Sequence, residues 1–157
     1  MTTTASPRAA SGVDRPSRGI DPRSPQLAAG ITAVVLVVVL LLPQPAATVL
    51  LAVQAVLFGI GAVRGVQATP HAWFFRTVVR PRLSPPSELE APEPPRFAQG
   101  VGLAFALVGL VAFLAGATLV AQVAVGAALV AALLNAVFAF CLGCEVYLLV
   151  RRFIATA

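Results

Sequence analysis

Four long apolar runs dominate this sequence and leave it few ways to fold. They cover approximately residues 27–42, 46–63, 98–115 and 118–150. A helix needs about 20 apolar residues to cross the hydrocarbon core of a bilayer. Only 11% of the residues are charged, whereas soluble domains have about a quarter. The sequence therefore predicts an all-α membrane protein whose four transmembrane helices form two helical hairpins in contact with the lipid bilayer.

The first and last runs have unusual lengths. The first is short and stops at Pro43-Gln44-Pro45, so we expect it to span only with local help from its neighbours. The last run is too long for one perpendicular crossing. We expect it to be one continuous helix through residues 118–150 that tilts or projects beyond the bilayer at its inner end.

The arginines predict the orientation. All eleven basic residues are arginines, and they are confined to residues 1–26, the central segment 64–97 and the end of the chain after residue 150. Because positive residues stay cytoplasmic, we expect the N- and C-termini and the central segment inside the cell. A chain rich in Ala and Val without lysine is typical of a GC-rich bacterial genome, which places it in the inner membrane. Arginines that flank apolar runs do not form a nucleic-acid surface.

The polar segments divide the chain further. Residues 1–20 are rich in Ser, Thr, Pro and Arg and are predicted to be a disordered cytoplasmic tail. Residues 21–152 form the predicted transmembrane domain. Between spans 2 and 3, Thr69-Pro70 is a helix-start pair. In the ten residues after Pro70, aromatic side chains fall on one helix face and arginines on the other. This pattern predicts a cytoplasmic amphipathic helix on the inner membrane surface; a surface helix packed on the bundle is the alternative.

A short motif recurs before spans 1 and 3. Pro22-Arg23-x-x-Gln26 precedes the first, and Pro95-Arg96-x-x-Gln99 precedes the third. If the two halves are repeats, both start in the cytoplasm and are related by an axis along the membrane normal. Gly59 and Ala62 are then the counterparts of Cys141 and Cys144 in the first half.

Both cysteines lie in the run FCLGCE, residues 140–145. Their spacing is typical of redox and metal sites. In a continuous helix Cys141, Cys144 and Glu145 share one face at the cytoplasmic boundary. That compartment is reducing, so we expect no permanent disulfide. The cysteines would also lie toward a helix C-terminus, where the dipole disfavours a thiolate.

Three interpretations of these residues remain open. In the first, Cys141 and Cys144 are the catalytic thiols of a redox or sulfur-relay protein, Glu145 moves protons, and a cytoplasmic thioredoxin-like or sulfur-transfer protein is the partner. In the second, Cys141, Cys144, Glu145 and His71 are candidate metal ligands, and a homodimer supplies further cysteines. In the third, the cysteines are small apolar fillers of a purely structural membrane subunit. Neither an enzymatic activity nor a cofactor follows from the residues.

The layout resembles a bacterial membrane family, domain-of-unknown-function family 4395. The resemblance is carried by DPRSPQ, by VVRPRLSPPSELEAPEPPRFAQ and by NAVFAFCLGCEVYLL, and it covers residues 19–152. It implies a four-helix membrane protein, common in actinobacteria and encoded near thioredoxin-like or sulfur-transfer proteins. It assigns no activity, although it favours the redox or sulfur-transfer interpretation.

Overall fold

The computed structural model describes residues 19–156, so residues 1–18 of the predicted disordered tail lie outside the described part. In that part the α-helices are α1 (Arg23–Leu41), α2 (Gln44–Arg64), α3 (Pro70–Phe74), α4 (Glu93–Leu114), α5 (Thr118–Phe138) and α6 (Leu142–Thr156). A 3-10 turn, Val66–Ala68, precedes α3, and a π-helical turn, Phe75–Val79, and a 3-10 turn, Arg80–Arg82, follow it. The described chain has no β-strand, which confirms the all-α class.

Helices α1, α2, α4 and α5 are long and apolar enough to cross a membrane. Helix α1 begins at Arg23, before the apolar run, and this added turn lengthens a span that looked short in the sequence. The outer surface of the bundle carries large exposed apolar side chains, among them Val34, Val49, Val111 and Leu119. Such a surface suits lipid rather than water, and the protein is a multi-pass membrane protein.

The four long helices contact one another in a ring. Helix α2 packs most extensively on α4, and α1 packs on α5, while α1–α2 and α4–α5 contacts close the ring. The largest side chains of the shared core are Leu36, Val39, Leu51, Phe58, Phe113 and Val125. The arrangement of the spans as two inserted hairpins stays a prediction.

Two glycines let α2 and α4 approach closely. A Cβ atom added at Gly102 would lie 2.8 Å from the ring of Phe58, and one at Gly109 would lie 3.0 Å from Leu51. The pairs run in opposite directions along the two helices, so α2 and α4 are antiparallel. Small residues that admit a neighbour's side chain in this way supply packing that the hydrophobic effect does not provide in lipid.

The recurring sequence motif occupies equivalent places at one end of the bundle. Here α1 and α4 begin and α2 and α5 end; we call it the arginine end because it carries Arg23, Arg64 and Arg96. Arg96 donates two 2.7 Å hydrogen bonds to the carbonyls of Ala62 and Val63 in the last turn of α2. The amide of Gln26 donates to the carbonyl of Ala136 in the last turn of α5, at 3.1 Å. Each motif therefore contacts the last turn of a helix from the other half.

The N-terminal lead-in is tied to the central segment. Ile20 is buried and exchanges two backbone hydrogen bonds with Glu90, at 2.8 and 2.9 Å. Asp21 is also buried and lies 3.7 Å from the guanidinium of Arg80. Ile20, the last residue of the predicted tail, is therefore held in place, because the strip after α3 offers its backbone hydrogen-bond partners.

The start of α3 confirms the helix-start pair. The Thr69 hydroxyl accepts a hydrogen bond from the Ala72 N–H at 3.3 Å and donates one to the Val66 carbonyl at 2.7 Å. Phe75 turns inward and is 2% exposed, whereas Trp73 is 61% exposed. The segment changes from α to π to 3-10 geometry along its length, and its placement on a membrane surface stays a prediction.

Candidate thiol site

The last apolar run is not one helix, and the prediction of a continuous helix through residue 150 is wrong. Helix α5 ends at Phe138, and Ala139 adopts the left-handed conformation with φ 55°. The N–H groups of Ala139 and Phe140 bond back to the carbonyls of Asn135 and Leu134. A new helix, α6, begins at Leu142. No Gly or Pro marks this break, which is why the sequence pattern did not indicate it.

The break places the cysteines at a helix N-terminus. The Cys141 carbonyl accepts the N–H of Glu145 at 3.0 Å, which is the first bond of α6. The Cys141 sulfur accepts the N–H of Cys144 at 3.3 Å, as an N-cap side chain does. The expectation that the helix dipole disfavours a thiolate here is therefore wrong in sign. The N-terminus of α6 favours negative charge on Cys141.

Cys141 and Cys144 are joined by a disulfide, with their Cα atoms 5.2 Å apart. This separation lies within the usual range for bridged cysteines. A bond between positions i and i+3 would distort a regular helix, but Cys141 lies outside the helix and only Cys144 lies in its first turn. The expectation of an unlinked pair rested on a reducing compartment, and this disulfide corrects it.

Helix α6 is held against the start of α4 by a close backbone approach. A Cβ atom added at Gly143 would lie 2.7 Å from the Cα of Ala98, so only glycine fits between the two cysteines. Further along, the Tyr147 ring lies 5.7 Å from the Phe97 ring and 5.9 Å from the Arg151 guanidinium. The disulfide is thereby fixed relative to the bundle.

The other candidate residues do not gather at the disulfide. Glu145 lies in the first turn of α6 and is exposed. His71 lines a separate cavity of about 20 Å³ with Thr32, Gln54 and Gln99, and burial lowers the pKa of its imidazole below 6.5. Within residues 19–156, no three His, Cys, Asp or Glu side chains are grouped so that they could hold a metal ion.

Sequence reasoning missed a buried polar pair inside the spans. Gln54 is 1% exposed, and its amide nitrogen lies 3.5 Å from the hydroxyl of Thr32. Its side-chain oxygen has no hydrogen-bond partner. The adjoining 20 Å³ cavity has room for one water molecule. The available signal was a glutamine in the middle of an apolar run, because polar side chains at that depth face the interior of a bundle.

A larger cavity opens beside the disulfide. Its volume is about 370 Å³, and its wall includes Cys141 but not Cys144. The wall is mostly alanine, proline and phenylalanine, with polar side chains at Thr32, Gln99 and Asn135. Cavities of this size that combine apolar walls with a few polar groups are typical of small-molecule sites.

Comparisons with known proteins identify one family. Searches of curated proteins and of solved structures found no similar chain. One family matches residues 20–152, nearly the whole of the described structure, and its description assigns no function. The chain belongs to the family described as Domain of unknown function (DUF4395).

Proposed function

We propose that this protein is a thiol redox protein of the bacterial inner membrane, in which Cys141 and Cys144 cycle between disulfide and dithiol. The observation that carries the proposal is the position of Cys141 as the N-cap of α6, where the Cys144 N–H meets its sulfur at 3.3 Å. A thiolate released there is stabilised by that N–H and by the helix N-terminus. A purely structural disulfide needs neither feature.

The partner we propose is a soluble thioredoxin-like dithiol in the cytoplasm. The positive-inside rule supports this side of the membrane, since the arginine end holds the disulfide as well as Arg23, Arg64 and Arg96. The termini would then also be cytoplasmic. A cytoplasmic dithiol is the reductant available in that compartment.

The reaction begins at Cys144, because Cys141 forms part of the cavity wall and Cys144 does not. A thiolate of the partner attacks the Cys144 sulfur, and the S–S electron pair leaves on Cys141. The second thiol of the partner then attacks its own sulfur in the mixed disulfide and releases Cys144. The partner ends as a disulfide and this chain as a dithiol, and we propose that exposed Glu145 carries the protons.

A pair of single-cysteine variants in native membranes tests this mechanism. Cys141→Ser should accumulate a mixed disulfide between Cys144 and the oxidised partner, because the Cys141 thiol that would complete this reverse exchange is absent. Cys144→Ser should accumulate less, since the remaining sulfur lies on the cavity wall. The adduct is identified by mass spectrometry after denaturation in acid; a persulfide on Cys144 instead of a protein adduct would indicate sulfur relay.

The wild-type protein provides the decisive outcome. Alkylation with maleimide should require prior treatment with a dithiol, and oxidant added after the dithiol but before the maleimide should prevent it. If the pair cannot be reduced in folded protein, or is unlinked after denaturation under oxidant, thiol cycling is excluded. Glu145→Gln serves as the matched test of proton transfer and should slow exchange without preventing the mixed disulfide.

A further inference from the structure

The proposed cycle assigns a reaction partner to the side of the disulfide that faces away from the bundle. It assigns none to the side that faces the bundle. Cys141 lies on the wall of the 370 Å³ cavity, which is bounded by α1, α4, α5 and α6. Reduction of the pair by a cytoplasmic dithiol leaves two electrons that must go to another molecule before the next cycle. The only sulfur on the cavity wall is that of Cys141, within the described residues.

An apolar groove adjoins the cavity. The groove has a volume of about 380 Å³ and lies between α4 and α5. It shares Phe105 and Ala127 with the cavity, and its remaining lining is valine and alanine at positions 104, 108, 120, 123 and 124. We call the two adjoining spaces together the chamber; its polar side chains line the cavity, and the groove is lined by apolar side chains alone.

The polar groups of the chamber suit carbonyl oxygens. Asn135 and Gln99 each offer an amide N–H donor, and Thr32 offers a hydroxyl. None of the groups on this wall is charged, so an anionic headgroup has no cation to meet. The lining therefore fits a neutral ring that carries hydrogen-bond acceptors and an apolar tail.

We propose that this chamber binds a prenylated quinone, which re-oxidises the dithiol. The step conserves atoms and electrons. Two S–H bonds break at Cys141 and Cys144, one S–S bond forms, and the quinone takes up two electrons and two protons as a hydroquinone. The inference rests on the proposed thiol cycle and names the membrane-side acceptor of its electrons.

The chemistry of the site favours a quinone over a phospholipid acyl chain as the occupant. A saturated chain fits the apolar groove but offers no acceptor for the amides, which would then remain unpaired. It also accepts no electrons from the sulfur beside it. A quinone satisfies both the amides and the dithiol, and it diffuses in the bilayer on which the groove opens.

The test uses purified full-length protein in nanodiscs of defined phospholipid without quinone. The protein is reduced with a dithiol and desalted, and decylubiquinone is then added. Hydroquinone formation is followed by absorbance, and disulfide formation by maleimide labelling. We expect both to proceed together, with one hydroquinone for each disulfide. Ubiquinone-0, which has no tail, should react about tenfold less efficiently because it leaves the groove empty.

A matched pair of variants locates the reaction. Ala131→Phe fills the cavity and should reduce the rate with decylubiquinone about tenfold or more. Val130→Phe introduces the same ring on the neighbouring position, which is 57% exposed and outside the cavity, and should react like the wild type. Asn135→Leu should raise the quinone concentration needed for half-maximal rate without preventing reduction by a dithiol.

The outcomes separate this inference from the thiol cycle. If dithiols reduce the wild-type pair but decylubiquinone oxidises wild type and Ala131→Phe equally slowly, the quinone site is rejected and the thiol cycle stands. If no dithiol reduces the pair, the thiol cycle itself fails. Native mass spectrometry of the oxidised protein gives an independent reading: retained phospholipid that decylubiquinone does not displace would overturn the assignment.

Discussion

The C-terminal ends of α2 and α5 both lie at the arginine end of the bundle but are followed by different structures. After α2, Gly65 turns the chain with φ 93°, and the Arg96 guanidinium closes the last turn through two carbonyls. After α5, Ala139 turns the chain with φ 55°, and a disulfide follows. At one end the turn is followed by a side-chain cap on the last helical turn, whereas at the other it leads into a new helix that begins at the disulfide.

The difference shows how two helix ends that are held in a similar way can differ, with a disulfide at only one of them. The scaffold at both ends is a last helical turn held by a side chain of the opposite half, Arg96 or Gln26. The second half adds α6, whose N-terminus positions Cys141 and Cys144. Substitutions at the end of α2 should therefore affect stability alone, whereas substitutions around the start of α6 should affect thiol chemistry as well as stability.

The largest contrast is expected between Gly143 and Gly59. Gly143→Leu forces a side chain against the Ala98 backbone, where even a Cβ would lie 2.7 Å away. We expect a loss of unfolding free energy of about 3 kcal/mol, at the upper end for overpacking, and displacement of the disulfide. Gly59→Leu is the control because nothing lies within 4 Å of an added Cβ. Unfolding in mixed micelles and maleimide labelling measure both effects; equal losses would show that α6 does not depend on this approach.

The turns provide the second contrast. Gly65 has φ 93° and ψ 154°, a region that is essentially restricted to glycine. Gly65→Ala should lower the free energy of unfolding by about 2 kcal/mol. Ala139→Gly should instead raise it by up to about 1 kcal/mol, because glycine adopts the left-handed conformation without strain. Destabilisation by Ala139→Gly in mixed micelles would contradict a helix break at this residue.

These turns also mark the limit of sequence-based prediction. The four spans could be predicted because the apolar runs are longer than a helix or strand of a soluble protein requires. The start of α3 could be predicted because Thr69 supplies a hydroxyl cap directly before Pro70. The break after Phe138 has no such signal, since Ala139 is a good helix former in an apolar run. The dipole argument depended on that continuous helix and was wrong for the same reason, while the role of Cys141 and Cys144 as a thiol site stays a prediction.

Tertiary contacts explain the remaining omissions. Asp21 and Gln54 are buried by segments distant in the sequence. Asp21 lies in no local pattern that indicates burial, and the only signal for Gln54 was its position in an apolar run. The excess length of the last run was one clue to a separate α6. The Cys-x-x-Cys-Glu pattern also places an acidic residue where a helix begins, which is a helix-start feature.

Substitution of Arg96 should affect the end of α2 and not the cysteine pair after α5. Arg96→Ala removes two hydrogen bonds to the last turn of α2. Because the guanidinium is solvent-exposed, we expect a loss of only about 1 kcal/mol in unfolding free energy. Arg96→Lys keeps the charge but loses the forked geometry, so its loss should be intermediate. Thiol exchange at Cys144 should be unchanged in both variants; slowed exchange without a change in stability would break the proposed division between the two ends.

The smallest effect is expected from a change of pH. Like the Arg96 substitutions, it should change stability and leave thiol exchange unaffected. Burial lowers the pKa of His71 below its ordinary value of 6.5, so the folded protein binds fewer protons than the unfolded chain in this window. The associated stability is complete above pH 6.5 and is lost as the pH falls toward the folded pKa. His71 alone among the residues lining its cavity titrates. His71→Gln should therefore remove the pH dependence of the unfolding free energy measured between about pH 5 and 7.

Thiol exchange in the wild type and in His71→Gln should keep the same pH dependence, because His71 and Cys141 line separate cavities. A shared change in both profiles would instead indicate that protons pass between the two cavities across Thr32 and Gln99, which line both.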